Sequence, residues 1–138
     1  MKPKQSEGPW IKLRLDMLES LAWRALTPPA KKVVERLMIE LMKHAGKENG
    51  RLICTYQDFV AFGIRGRSIA YAIRQAVELG FVEITARGWR AAVHGRPAKY
   101  RLTFLSAYGK VPTDEWTRWA PGQQAAPPKV VKLDRYMA

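Results

Sequence analysis

The segment from Arg67 to Leu79 limits the fold more than any other part of the chain. Its apolar residues Ile69, Ala72, Ile73 and Ala76 stand at i, i+3, i+4 and i+7, the spacing of a single helical face. Arg67, Tyr71, Arg74 and Glu78 fall on the opposite side of that helix. Gly80 closes it, and Phe81-Val82-Glu83-Ile84-Thr85-Ala86 follows at once with the alternation and β-branched content of a strand. A one-sided helix joined through one glycine to a strand has to bury both apolar faces in a shared core. With 138 residues there is room for about one domain, and an apolar content of 47% is enough to fill its interior.

The flanking segments extend this unit. Thr27-Pro28-Pro29 marks a helix start, with Thr27 as cap and Pro28 at the first helical position. The helix predicted over residues 30–45 spreads Val33, Val34, Leu37, Met38, Leu41 and Met42 over a wide arc, as expected of a strut buried on more than one side. Gly46 and Asn49-Gly50 end it and turn the chain. Residues 51–54 make a strand stub. Thr55 with Asp58 predicts a capped helix over residues 55–61, with Phe59 and Phe62 facing the core, and Gly63-Ile64 supplies the next turn. Residues 98–104 read as a second strand. Between the two strands, residues 87–97 form a basic loop punctuated by Gly88 and Gly95.

The ends are less regular. Trp10-Ile11-Lys12-Leu13-Arg14-Leu15 alternates and predicts a short strand with Ile11, Leu13 and Leu15 inward. Asp16 with Glu19 has the capping-box spacing, which predicts a helix from there to about Leu26. Residues 112–120 allow one short helix with Trp116 and Trp119 on a shared face. Residues 122–128 have linker composition, and residues 129–138 are expected to form an arm that docks on a neighbour.

Charge narrows the partner class. Lys and Arg number 24 against 12 Asp and Glu, a net of +12 with a pI near 10.2. Residues 51–104 alone carry +6, with eight arginines to one lysine, opposed only by Asp58, Glu78 and Glu83. Arginine forks onto phosphates and guanine edges, so this balance points to a polyanion. Cys54, His44 and His94 are too few and too scattered for an ordinary zinc site, and no disulfide framework is available to one cysteine. No apolar run approaches the ~18–20 residues of a membrane span, and no hydrophobic stretch follows the charged N-terminus as in a secretory signal. The expectation is a cytoplasmic, nucleoid-associated protein with no membrane, cofactor, metal or small-molecule partner. An enzyme is not expected: a phosphate-cradling glycine loop, HExxH and Gly-x-Ser-x-Gly are all missing, and Asp16, Asp58, Asp114 and Asp134 read as caps or surface charges.

The run from Gly63-Ile64-Arg65-Gly66-Arg67-Ser68 through Leu79-Gly80-Phe81-Val82 closely resembles the second half of a bacterial winged helix-turn-helix, and Tyr100-Arg101-Leu102-Thr103 resembles the return strand of its wing. The likeness covers residues 28–104 and is similar to that of regulators of plasmids and other mobile elements. It implies an α+β fold: a three-helix core with a β-hairpin wing over residues 28–105, an N-terminal strand-and-helix extension over 1–27, and a partly flexible C-terminal extension over 106–138. It also implies a sequence-specific regulator of transcription that binds double-stranded DNA, with a recognition helix in the major groove and a basic wing in the minor groove.

Carried onto this chain, the resemblance assigns base reading to Arg65, Arg67, Ser68 and Tyr71, places Gly66 at the DNA-binding helix start, and gives Arg74 a phosphate contact. Tyr71 equally suits packing beside the wing. Thr55, Tyr56 and Gln57 open the preceding helix, whose amides suit the DNA backbone. Arg87, Arg90, His94, Arg96 and Lys99 line the wing, where Gly95-Arg96-Pro97 resembles a minor-groove hook and Trp89 braces the loop. His94 titrates near neutral pH and can tune the wing's charge. One departure is that Arg65-Gly66 stands where the family usually places a Ser or Thr cap. Either Ser68 caps a helix that starts later, or Gly66 lets the backbone approach a phosphate.

Other readings remain open. The same interface suits an accessory protein of plasmid or phage replication or excision. A winged-helix protein-interaction module would need an apolar or mixed face in place of Arg67 and Arg74. A single-strand or RNA reader would need more aromatic residues among its cations. Because one winged helix reads few base pairs, a homodimer or cooperative multimer is expected.

Overall fold

The long helix α3 (Pro28–Lys43) and the helix α5 (Gly66–Glu78) form the centre of the molecule. The computed structural model describes residues 7–88 and 96–122. Along these the order is α1 (Leu15–Glu19), α2 (Leu21–Ala25), α3, β1 (Leu52–Ile53), α4 (Tyr56–Ala61), α5, β2 (Val82–Ala86), β3 (Lys99–Leu102) and a 3-10 turn at Glu115–Arg118. The described residues thus hold five α-helices and one three-stranded antiparallel sheet in the order β1-β3-β2, an α+β arrangement.

The apolar faces read from the sequence close onto one another. Ile69, Ala72, Ile73 and Ala76 are fully buried, as are Val33, Val34 and Leu37 of α3. Each of the larger aliphatic side chains contributes about 1.5–3 kcal/mol by leaving water. Thr27 caps α3, accepting from the Ala30 amide, with proline in the first turn. α4 begins on a reciprocal capping box, in which the Thr55 hydroxyl accepts from the Asp58 amide at 3.1 Å and the Asp58 carboxylate accepts from the Thr55 amide at 2.8 Å. Phe59 is buried and meets Tyr100 edge to face at 6.3 Å, whereas Phe62 is only half-buried at the helix end.

In the sheet, β3 lies between the other two strands: Leu52 pairs with Tyr100, Val82 with Leu102 and Ile84 with Tyr100. A bulge between Ile84 and Ala86 brings Ala86 opposite Lys99. Asn49, buried in the turn before β1, joins that turn to the end of β3. Its amide donates to the Leu102 and Ser106 carbonyls at 2.9 and 3.1 Å, and its carbonyl accepts from the Leu102 amide at 2.7 Å.

Three expectations change at the ends. Residues 10–15 form no strand: Leu13 and Leu15 are exposed, Ile11 is half-buried, and the segment is tied down from the surface by Arg14. Its guanidinium donates to Asp114 at 2.8 Å, pairs with Asp16 and lies 5.6 Å from the Trp116 ring centre. This hydrogen bond holds the Asp16 carboxyl below its usual range. Alternation cannot say which parity faces inward when no neighbouring strand is there to pair with. The helix expected over 16–26 is two helices broken at Ser20, whose hydroxyl donates to the Met17 carbonyl at 2.6 Å and accepts from the Trp23 amide at 3.0 Å. Ser20, and not the Asp16/Glu19 pair, provides the cap.

The C-terminal helix shrinks to the 3-10 turn, in which Trp116 is buried and Trp119 packs against the core. The expected linker after Gly122 and the arm over 129–138 lie outside the described residues.

Cys54 is buried, and that burial pushes its thiol up to about 12. Labelling by an exogenous disulfide reagent should therefore follow the global unfolding transition of the chain. A native state that labels at the rate of a free thiol would contradict this packing.

Gly80 ends α5 at φ +91, where the amides of Gly80 and Phe81 bond back to the carbonyls of Val77 and Ala76 at 3.0 Å each. A Cβ there would lie 2.5 Å from the Trp116 amide nitrogen. We expect Gly80→Ala to lower stability by about 1–3 kcal/mol or more in denaturant melts, with the intrinsic fluorescence of Trp116 disturbed first.

Candidate nucleic-acid interface

The turn that aims α5 is built from short-range rules. α4 ends with the amides of Gly63 and Ile64 bonded to the carbonyls of Val60 and Phe59, Gly63 sitting at φ +102 and Ile64 buried. Arg65 is then the N-cap of α5 and Gly66 its first residue. Unlike Thr27 and Thr55, Arg65 offers no side-chain acceptor, and no side-chain cap is present. The Ser68 amide bonds to the Arg65 carbonyl at 2.9 Å. Of the two alternatives left open by the sequence, Ser68 is not the cap, since it lies within the first turn. Gly66 has a different reason to be glycine: a Cβ there would lie 2.7 Å from the Tyr56 hydroxyl. The close approach it allows is between α4 and α5.

The outward face of α5 carries Arg67 and Tyr71, both exposed, with Glu78 at the far end. Arg74 is half-buried, and its guanidinium lies 5.6 Å from the Tyr71 ring centre, a cation–π contact one turn along the helix. The Arg74 Nε is buried without a hydrogen-bond partner among the described residues. Arg65 and Arg67 make no ion pair with a carboxylate among those residues. Many of the carboxylates are spent elsewhere: Asp16 and Asp114 on Arg14, Glu40 on Arg36, Glu48 on Arg51, Glu83 and Glu115 on Arg101. The front of α5 therefore keeps its positive charge.

Gln75 fixes the rotation of this helix. Its side-chain carbonyl accepts from both the amide and the hydroxyl of Thr27 at 2.8 Å, and its amide donates to the Ala25 carbonyl at 3.4 Å. Turning α5 about its axis would break all three bonds.

The other expected residues fall around this helix. In α4, Gln57 is exposed and Tyr56 is half-buried against Gly66, while the amide and hydroxyl of Thr55 are both engaged within the capping box. Arg87 and Arg96 are exposed at the two ends of the loop between β2 and β3, and Lys99 is half-buried opposite Ala86. Arg90 and His94, with Trp89 and Gly95, lie outside the described residues. One basic residue escaped the sequence reading. Lys32 donates to the Gly63 carbonyl at 3.2 Å and lines a depression of about 190 Å³ with Pro28, Pro29, Ile64, Arg65 and Ser68. The only sequence sign was its exposed place one turn into a helix, and its neighbours stand thirty residues further on.

Comparison of the chain with protein families, with curated proteins and with solved structures finds no match.

Thr55→Ala should cost about 1 kcal/mol of stability through loss of the cap. If the chain binds nucleic acid, the variant should leave affinity and its salt dependence unchanged in protein that is still folded, as measured by chemical denaturation beside a duplex titration. A changed salt slope would mean that Thr55 touches the ligand.

Proposed function

We propose that this chain is a sequence-specific double-stranded DNA-binding regulator of transcription with winged helix-turn-helix architecture. In this reading α3, α4 and α5 form the three-helix core, α5 enters the major groove, and the loop joining β2 to β3 is the wing. The helix order and the sheet order β1-β3-β2 support the architecture. The observation that carries the functional reading is the outward face of α5: Arg65, Arg67 and Tyr71 stand in solvent, the two arginines with no carboxylate partner among the described residues, on a helix locked in rotation by Gln75. A helix of this diameter fits the major groove, and its N-terminal and outward residues are the ones that reach base edges.

Roles follow from position. Arg67 is the residue best placed to fork onto a guanine, and Arg65 and Lys32 flank the helix start where a phosphate would pass. Arg74, held along Tyr71, suits the backbone further along the groove. Arg87 and Arg96 bracket the wing, with Arg96 the candidate for the minor groove. The excess charge, +12, serves the long-range attraction that precedes reading.

Selection of binding sequences from random duplexes, followed by gel shift over a salt series, tests this reading. Arg67→Ala should cost about 1–3 kcal/mol at one base pair and relax preference there. Lys32→Ala should weaken all duplexes alike and reduce the salt slope by about one. Arg96→Ala should lose affinity chiefly on sites with A·T-rich flanks. If all three variants bind every duplex as the parent does, α5 and the hairpin are not the reading surface.

A further inference from the structure

The N-terminal segment lies outside the proposed DNA-binding surface and leaves apolar groups in water. Of the nine large hydrophobic side chains exposed among the described residues, four fall between positions 10 and 21: Trp10 at 71%, Leu13 at 40%, Leu15 at 71% and Leu21 at 56%. Single exposed hydrophobics are ordinary, but such a concentration is the mark of an interaction surface. Trp10 also lines a groove of about 480 Å³, shared with Gly8, Pro9, Met42, Lys43, Ala45 and Gly46 at the C-terminal end of α3. A protruding apolar strip and a recess therefore adjoin on the same chain.

Charge identifies the occupant. Residues 10–21 carry Asp16 and Glu19 against Lys12 and Arg14, and Arg14 is already paired with Asp16 and Asp114. In a chain of net +12 this strip is neutral, so a second copy meets little repulsion there. The recess is cationic: Lys43 on its wall and Lys47 just beyond are exposed, and neither is paired with a carboxylate among the described residues. A strip bearing Glu19 and a recess bearing Lys43 are complementary halves, and a two-fold axis lets each copy supply both.

We infer that the chain self-associates as an isologous dimer in which the Trp10–Leu21 strip of each copy seats in the groove at the C-terminal end of the partner's α3. The recess lies away from the start of α5. Lys32, beside the start of α5, and Met42, in the recess, are separated by about 15 Å along the axis of α3.

Sedimentation velocity of the full chain without DNA, near 0.3 M salt to screen its net charge, tests the inference independently of any DNA-binding role. The expected result is a dimer with a dissociation constant at or below about 10 µM. Leu15→Glu and Lys43→Glu should each raise that constant at least about tenfold. Combining Lys43→Glu with Glu19→Lys should restore it, a rescue that a merely structural role would not give. Circular dichroism melts confirm that these exposed-site variants remain folded. A parent that stays monomeric at about 100 µM overturns the inference, and so does a dimer indifferent to Leu15→Glu. A dimer lost in Leu133→Asp but kept in Leu15→Glu would instead place the C-terminal segment in the contact, and would equally overturn it.

Discussion

Phe81 is the point on which the assembly depends. Its ring meets Trp23 edge-on at 5.2 Å, Phe104 at 6.4 Å and Trp116 in a near-parallel stack at 6.4 Å. Those partners come from α2, from the segment after β3 and from the C-terminal 3-10 turn, so one side chain joins both ends of the described chain to its middle. Each such pair adds about 0.5–1.5 kcal/mol beyond the area it buries. The arrangement depends on Gly80, because the Trp116 backbone occupies the space a side chain there would need. α2 and the 3-10 turn at Glu115–Arg118 are thus packed into the same core as the central helices.

Around that core the charges divide by role. Carboxylates concentrate where segments must be tied together. Asp114 receives both Arg14 and the Trp116 indole, and Arg101 joins Glu83 of β2 to Glu115 and Thr113 beyond β3. These half-exposed pairs add modest stability singly, but they neutralise the arginines they hold. Arg65 and Arg67 at the start of α5 have no such partners among the described residues, so that end of the helix keeps its positive charge.

Much of the helical core was legible in the sequence because its rules are local. The four apolar positions of α5, the Thr27–Pro28 start and the Thr55–Asp58 box each depend on residues within a few places of one another, and each is found as read. The misreadings have a common cause in partners distant along the chain. Residues 10–15 alternate as a strand would, but no neighbouring strand pairs with them, and Arg14 holds the segment at the surface through Asp114 and Trp116, a hundred residues on. The close approach of Tyr56, ten residues earlier, to Gly66 had no local sign, and Lys32 belongs to the α5 start only because α3 passes the turn at Gly63. Trp116 and Trp119 gave no sign of which surface they would seek, and both turn to their own chain.

The Gln75–Thr27 contact has a consequence for how such a surface changes over time. The orientation of α5 is set by residues on its inner and lateral sides, none of which coincides with Arg67 or Tyr71. Substitutions at those two outward positions can accumulate without tilting or rolling the helix that presents them. Selection can thus exchange the chemistry this surface offers while the framework beneath keeps its geometry, and a new outward face needs no refolding to emerge.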